Sequence, residues 1–344
     1  LGGLVHEPAL RLARRLATLL PGDLNHVFFS ESGSVAVEIA MKMAVQYWLN
    51  QGVRGRTRFI SFRSGYHGDT SAAMSVSDPE EGMHRQMAGY LTKQIITDFP
   101  KGDEGLAEFD RLLANARETV AAVMVEPLIQ GAGGMKFHAG AELAAMTALC
   151  QKHDILLIAD EIFTGFGRTG TMFACEQAGI VPDIICLGKA LTGGVAPMAA
   201  TVARTHVYNA FLSDDTDKAL MHGPTYMANP LTAAAANASL DLFESEPRLE
   251  QVKRIEGHLT QSLEQFRALP GVVDVRVKGA VGVVQLDSLG DVDWLKKRFQ
   301  EEGVWMRPFG DIIYLTPAFT IQSDELARLT GAIGTVLQER PWIK

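Results

Sequence analysis

Two charged residues stand where apolar runs of strand length end. Ile155-Leu156-Leu157-Ile158-Ala159 runs into Asp160-Glu161, and Ile184-Ile185-Cys186-Leu187 runs into Gly188-Lys189. Short continuous apolar runs suit parallel strands buried on both faces. Ligands of open α/β sheets bind beyond the carboxyl ends of such strands. A lysine there is expected to be partly desolvated, which favours the neutral, nucleophilic amine. An acid at the equivalent place on a second strand can pair with a protonated ring nitrogen. Pyridoxal 5'-phosphate (PLP) needs this pair, a lysine for its aldehyde and an Asp for its pyridinium. Either residue alone reads as readily as a solvated strand end, so the pair gains weight only beside a phosphate site.

Ser30-Glu31-Ser32-Gly33-Ser34 offers one. It follows a strand pattern and opens a helix, where free N–H groups and a partial positive charge face an anion. Gly33 admits the backbone closely and Ser34 adds a hydroxyl; an ordinary N-cap is the competing reading. Gly65-Tyr66-His67-Gly68-Asp69-Thr70 sets an aromatic between glycines past another strand. It could stack on a planar ring or be a plain surface turn, and His67 alone signals little. Gly223-Pro224-Thr225-Tyr226 is a loop before a helix near Pro230. Trp305-Met306-Arg307-Pro308-Phe309-Gly310 sets one arginine in an apolar stretch, where its fork suits a substrate carboxylate or a structural acid equally. The glycine fingerprint of dinucleotide folds, a Walker A loop, GxSxG and HExxH are all absent, which weighs against a nicotinamide dehydrogenase. The nine histidines do not fall at metal-ligand spacings, so no metal is expected.

The elements that must position these residues alternate from about residue 27 to 203. Strands are predicted at His26–Ser30, Phe59–Phe62, Ala121–Val125, Ile155–Ala159 and Ile184–Leu187, with helices at Ser34–Leu49 and around Glu142–His153. This is the pattern of an α/β fold with an open, mostly parallel sheet. Beyond about 240 the style changes. A long amphipathic helix, Leu249–Leu269, stops at Pro270-Gly271. It is followed by strands at Val272–Val277, Val281–Leu286 and Ile312–Leu315, and by helices from Val292 and from Ser323. The expected division is a large domain, 1–240, and a smaller C-terminal α+β domain, 241–344.

Bulk properties set the bounds. The 344 residues are 47% hydrophobic and 21% charged, with a net charge of −8. That suits a globular protein and disfavours a nucleic-acid binder. The three cysteines form no CxxC pair, and a reducing cytoplasm is expected. Arg11, Arg14 and Arg15 interrupt the N-terminal apolar positions, so no signal peptide is read there. The chain starts at Leu1 without an initiator Met, and the expectation is a piece of a longer protein.

Taken together, the chain resembles the class III, fold-type I aminotransferases over nearly its whole length. The matching stretches include Ser32 to Glu38, Gly65 to Thr70, Glu126-Pro127 with Gln130 to Gly134, and Ala159 to Ile162 with Thr164 to Gly170. Cys186 to Gly194, Met221 to Leu231, and Trp305 to Gly310 through Tyr314-Leu315 complete the set. Asp69 and the Arg307-Pro308-Phe309-Gly310 run resemble the biotin-biosynthetic branch. The resemblance implies PLP as cofactor and the transfer of an amino group from S-adenosylmethionine to 8-amino-7-oxononanoate, giving 7,8-diaminononanoate. It implies a homodimer with shared active sites.

On that resemblance Lys189 condenses with the cofactor aldehyde and shuttles the proton, Asp160 holds the pyridinium, and Tyr66 and Ile162 cover the two ring faces. Gly33 and Ser34 hold the phosphate, joined by Pro224 and Thr225 from the second subunit. The substrate-contacting set falls on Tyr66, Asp69, Arg168, Gly223, Arg307 and Tyr314, with Arg307 on the keto acid's carboxylate. Members carry a further N-terminal segment with pocket aromatics, so a chain without it is expected to fold poorly or bind substrate weakly. Phe163, Thr232 and Val195-Ala196-Pro197-Met198 also depart from the pattern. Two alternatives stay open: a class III transaminase of the ω-amino acid:pyruvate type, and an inactive fragment kept as a dimerisation module.

Overall fold

The computed structural model describes residues 3–79 and 82–341. They form two compact units, one within 1–166 and 173–244, the other within 167–172 and 245–344.

In chain order the first unit contains α1 (Glu7–Leu19), β1 (Leu24–Ser30), α2 (Gly33–Asn50), β2 (Arg58–Phe62), α3 (Ser71–Ser75), β3 (Ile95–Thr97) and α4 (Gly102–Ala116). It continues with β4 (Val120–Val125), β5 (Ile129–Gln130), β6 (Lys136–Phe137), α5 (Gly140–Lys152), β7 (Leu156–Asp160) and α6 (Cys175–Ala178). The last elements are β8 (Ile184–Leu187), β9 (Ala199–Arg204), α7 (Thr205–Asn209) and α8 (Pro230–Ser245). Seven strands make one sheet in the order β1-β9-β8-β7-β4-β2-β3. Neighbours are parallel except at β9, which runs antiparallel to both β1 and β8.

β4, β7 and β8 are buried at every position, as their continuous apolar sequences require. β9 is also almost wholly buried, but its Ala-Ala-Thr-Val-Ala-Arg sequence has neither periodicity nor bulk, and the sequence reading passed it over. α2 is apolar on several sides because it lies in the core. Its small Ala36, Ala40 and Ala44 are all fully buried and permit close approach to the sheet. The Ala36 carbonyl accepts from Thr201 Oγ1 at 2.8 Å. Near the other end Trp48 donates Nε1–H to the Ala121 carbonyl at 2.8 Å, and the Arg56 guanidinium lies 3.8 Å over its ring.

The second unit contains α9 (Arg248–Glu264), β10 (Val272–Lys278), β11 (Val281–Leu286), α10 (Val292–Glu301), β12 (Ile312–Leu315) and α11 (Ser323–Glu339). Its three strands form an antiparallel sheet in chain order. α9 ends sooner than its amphipathic pattern suggested. Gln265–Ala268 tightens into a 3-10 turn, a usual way to close a helix before Pro-Gly. Gly167–Met172 groups with this unit, so two separate stretches of chain build it. Among the described residues no helix is long and apolar enough to cross a membrane.

Candidate active site

The site is built at the carboxyl ends of the first unit's central strands. β7 and β8 are in register with Asp160 opposite Cys186, and Glu161 N–H donates to the Cys186 carbonyl at 2.9 Å. Lys189 therefore emerges just beyond the end of β7. It opens a 3-10 turn, Lys189–Thr192, with φ +44°. A non-glycine residue in the left-handed region costs on the order of 1–3 kcal/mol, and such strain gathers at functional sites. The side chain is exposed, which corrects the expectation of a desolvated lysine: within one chain the strand end opens outward. The ring of Phe163 lies 5.2 Å from Lys189 Nζ.

Asp160 is buried, with an N–H on each oxygen. Oδ1 accepts from Ile162 N at 3.1 Å, and Oδ2 lies 2.8 Å from His67 Nδ1. Adjacent Glu161 serves the scaffold instead. It has no exposed surface and accepts from Ala174 N at 2.7 Å and Cys175 N at 2.8 Å. Burial pushes its carboxyl up to about 7, against the pull of those two N–H groups.

At the N-terminus of α2 the capping role falls to Ser32, whose Oγ accepts from Val35 N at 3.3 Å. That leaves Ser34, whose Oγ accepts from Asp69 N at 2.9 Å. The N-cap reading thus applies to Ser32, and Ser34 stands outside the cap. A Cβ on Gly33 would lie 2.9 Å from Ile162 Cδ1, and one on Gly188 would lie 3.3 Å from Ile162 Cγ2. Ile162 therefore packs against bare backbone at the start of α2 and beside Lys189. Gly68, at φ +128°, is pressed so closely onto Ser34 that a Cβ would overlap the hydroxyl.

Tyr66 sits half-buried between these parts. Its N–H donates to Glu126 Oε2 at 3.0 Å, while Glu126 Oε1 takes the Gly131 N–H at 2.8 Å. Its hydroxyl donates to Asp69 Oδ1 at 2.8 Å. His84 stacks on the ring with centroids 5.8 Å apart and sets Nε2 3.2 Å from the same Asp69 oxygen. Burial, then the Asp69 hydrogen bond and the surrounding carboxylates, push the phenol well up, so it stays protonated. Burial also raises Glu126, to about 7.

One contact network thus joins Gly33, Ser34, Tyr66, Asp69, Asp160 and Ile162, with Lys189 beside it. Sequence reasoning gave no role to His67 or Glu126, and it passed over His84. His67 and Asp160 are 93 residues apart, and no local periodicity couples such a pair. Gly223, Pro224 and Thr225 lie on a separate loop, where Gly223 and Thr225 are exposed. Large apolar side chains around them are exposed too: Met221 by 74%, Tyr226 by 69% and Leu231 by 82%.

In the second unit Arg168 donates Nη1 to the carbonyls of Ala280 at 3.1 Å and Pro317 at 2.9 Å, with its guanidinium 4.7 Å over Phe319. Burial lowers it to about 10. Arg307 departs from the apolar setting read for it. Met306 and Pro308 beside it are buried, but Arg307 itself is exposed and has no ion pair among the described residues. Tyr314, on β12, meets Phe309 edge-on at 5.3 Å.

Against known proteins, the family model described as Aminotransferase class-III matches residues 1–337. An adenosylmethionine-8-amino-7-oxononanoate aminotransferase of Corynebacterium glutamicum is 46% identical, over 96% of this chain and 80% of that protein. The protein of that name from Mycobacterium leprae is 44% identical, over 96% of this chain and 77% of its own length. Among solved structures, the aminotransferase of the same name from Methanocaldococcus jannaschii superposes with a TM-score of 0.92 at 36% identity, covering 98% of this chain and 81% of that one. An amine transaminase from an uncultivated Pseudomonas species, in a PLP-bound form, superposes with a TM-score of 0.90 at 32% identity, covering 98% and 82%.

Proposed function

The chain belongs to the class III aminotransferase family, and from that premise we propose that it uses PLP to move the amino group of S-adenosylmethionine to 8-amino-7-oxononanoate, giving 7,8-diaminononanoate. The observation that carries the substrate assignment is the near-full-length identity to relatives named for this reaction. The site fits the cofactor. An exposed amine, a buried carboxylate held from both oxygens, and a helix N-terminus with a close-packed glycine stand at the carboxyl ends of β8, β7 and β1. When bound, PLP supplies an aldehyde that takes up the amino group and a protonated ring that draws electrons from the substrate carbon.

Lys189 Nζ would hold that aldehyde and would carry the substrate's proton. The Asp160 carboxylate fixes the ring nitrogen in its positive form. Gly33 N–H and Ser34 at the start of α2 bind the phosphate, an anion suited to that helix end. Tyr66 and Ile162 cover the two ring faces and exclude water. The protonated Tyr66 hydroxyl gives its one O–H to Asp69 and can only accept from substrate; Gly223 lines its path. Arg307, exposed and without an ion pair among the described residues, binds the keto acid's carboxylate; Tyr314 and Arg168 are further substrate residues on this reading. The proposed domains keep this division, with 1–240 holding the cofactor and 241–344 the smaller domain.

The reading includes a homodimer in which Pro224 and Thr225 serve the phosphate of the other copy. The exposed Met221, Tyr226 and Leu231 around that loop support it, because apolar surface of this kind suits burial against a partner. It also includes a cytoplasmic location, supported by three free, buried cysteines.

The test is a visible spectrum of the protein with PLP, before and after S-adenosylmethionine. A cofactor band that appears and then converts with this donor is the expected result. A band that ignores S-adenosylmethionine and responds to another amine would reassign the donor within the family. The absence of any band would overturn the reading.

A further inference from the structure

His67 has no part in the roles above, yet it is buried against Asp160. Its side chain is 1% exposed, and Asp160's is 5%. The ring is held by its loop. His67 N–H donates to Ser77 Oγ at 2.9 Å, and Ser77 Oγ donates on to the Ala73 carbonyl at 2.9 Å. Asp78 N–H donates to the Gly65 carbonyl at 2.9 Å. A Cβ on Gly65 would lie 3.4 Å from His67 Nε2 and 2.8 Å from the Phe62 carbonyl, so the imidazole packs against bare backbone. The ring has little freedom to turn away from Asp160.

Two buried carboxyl groups bear on it. Asp160 on β7 and Glu126 beyond β4 are both buried, and both act on this ring. Tyr66, the other titratable group of the loop, is half-buried and stays protonated. Among the described residues neither carboxylate has a lysine or arginine in an ion pair. A buried ion without a counter-charge is penalised by several kcal/mol. Burial alone would keep the imidazole neutral, but the Asp160 hydrogen bond and the charges of Asp160 and Glu126 outweigh it.

We propose that His67 is a positioning residue that, as an imidazolium, holds the Asp160 carboxylate in one rotamer for the cofactor's ring nitrogen. Nδ1–H fixes Oδ2, Ile162 N–H fixes Oδ1, and the carboxylate is set before the cofactor arrives. The inference rests on the proposed cofactor site and names a member of it that touches neither substrate nor cofactor.

The experiment compares PLP binding, followed by absorbance titration across pH, for wild type, His67→Leu and His67→Asn. The asparagine amide places a neutral N–H near the Nδ1 position. Leucine is expected to weaken PLP binding about tenfold or more, the scale of one lost charge-assisted hydrogen bond, and to shift the pH midpoint of the bound-cofactor band. Asparagine should recover part of the affinity but not the midpoint. The 15N shifts of the wild-type ring, in protein without cofactor at neutral pH, should report both nitrogens protonated. A His67→Leu protein that keeps wild-type melting, affinity and midpoint would overturn the positioning role. A neutral wild-type ring would overturn the imidazolium, even if both variants failed to fold. Wild type that takes up no PLP would overturn the proposed function along with the inference, whereas normal uptake with an indifferent leucine variant overturns the inference alone.

Discussion

On the proposed function the chemistry falls on one amine, that of Lys189, displayed from a left-handed turn and open to solvent. Lys189→Ala is expected to abolish turnover and the cofactor's bound-state absorbance together; turnover surviving with a bound chromophore would refute the role. Arg307→Ala is expected to raise KM for the keto acid about tenfold or more while sparing the donor half-reaction, because a charge-assisted carboxylate bond is lost. Stopped-flow measurement of each half-reaction checks this, and a defect confined to the donor half would contradict it. Glu161 makes a different prediction. Its carboxyl is held above its ordinary value, at about 7, so the folded state keeps a proton that the unfolded chain has lost between about 4.5 and 7. That stabilisation is complete at acid pH and fades as pH rises through the window. Glu161→Gln does not titrate, so the melting-temperature gap between wild type and variant should narrow from about pH 5 to pH 8. The change should be on the order of 3 kcal/mol across the window. A constant gap would mean that the group is not shifted.

At the scale of elements, the join between α2 and the Gly65–Thr70 loop is the part most exposed to single changes. Ser32→Ala removes the cap of an 18-residue helix and should cost about 1 kcal/mol in denaturant unfolding, with little effect on PLP affinity. Gly68→Ala should destabilise by about 1–3 kcal/mol and also weaken PLP binding, because the added methyl displaces Ser34. An unchanged affinity in that variant would separate Ser34 from the phosphate. Legibility in the sequence followed the same division. β4, β7 and β8 announced themselves because strands buried on both faces must be continuously apolar, and Asp160 and Lys189 stood out as the charges that ended them. β9 did not, since alanine and threonine satisfy a crowded interior without any pattern. His67 and Glu126 were hidden for another reason. Their meaning lies in partners that only the sheet order brings near. The expected burial of Lys189 failed because a strand's interior says nothing about what covers its end.

At the scale of the whole molecule, the exposed apolar loop around Gly223–Thr225 points outward from the first unit's surface. On the proposed homodimer, sedimentation should give twice the 37.4 kDa of one chain. Leu231→Asp, at a side chain 82% exposed, should shift the protein toward monomer and release PLP without lowering the monomer's own stability. A dimer indifferent to that charge would put the interface elsewhere. The single reversed strand of the sheet has a consequence for how the protein is made. β1 finds its only sheet neighbour in β9, with Ser30 opposite Ala199 and Leu24 opposite Arg204. On the ribosome, roughly 170 residues must follow β1 before its partner exists. At about 5–20 residues per second that is a delay of roughly 8–34 s. Throughout it, the strand that leads into α2 waits with an unpaired edge. Nascent chains arrested before residue 199 should therefore expose this edge to chaperones and proteases, and chains arrested well after 204 should hide it.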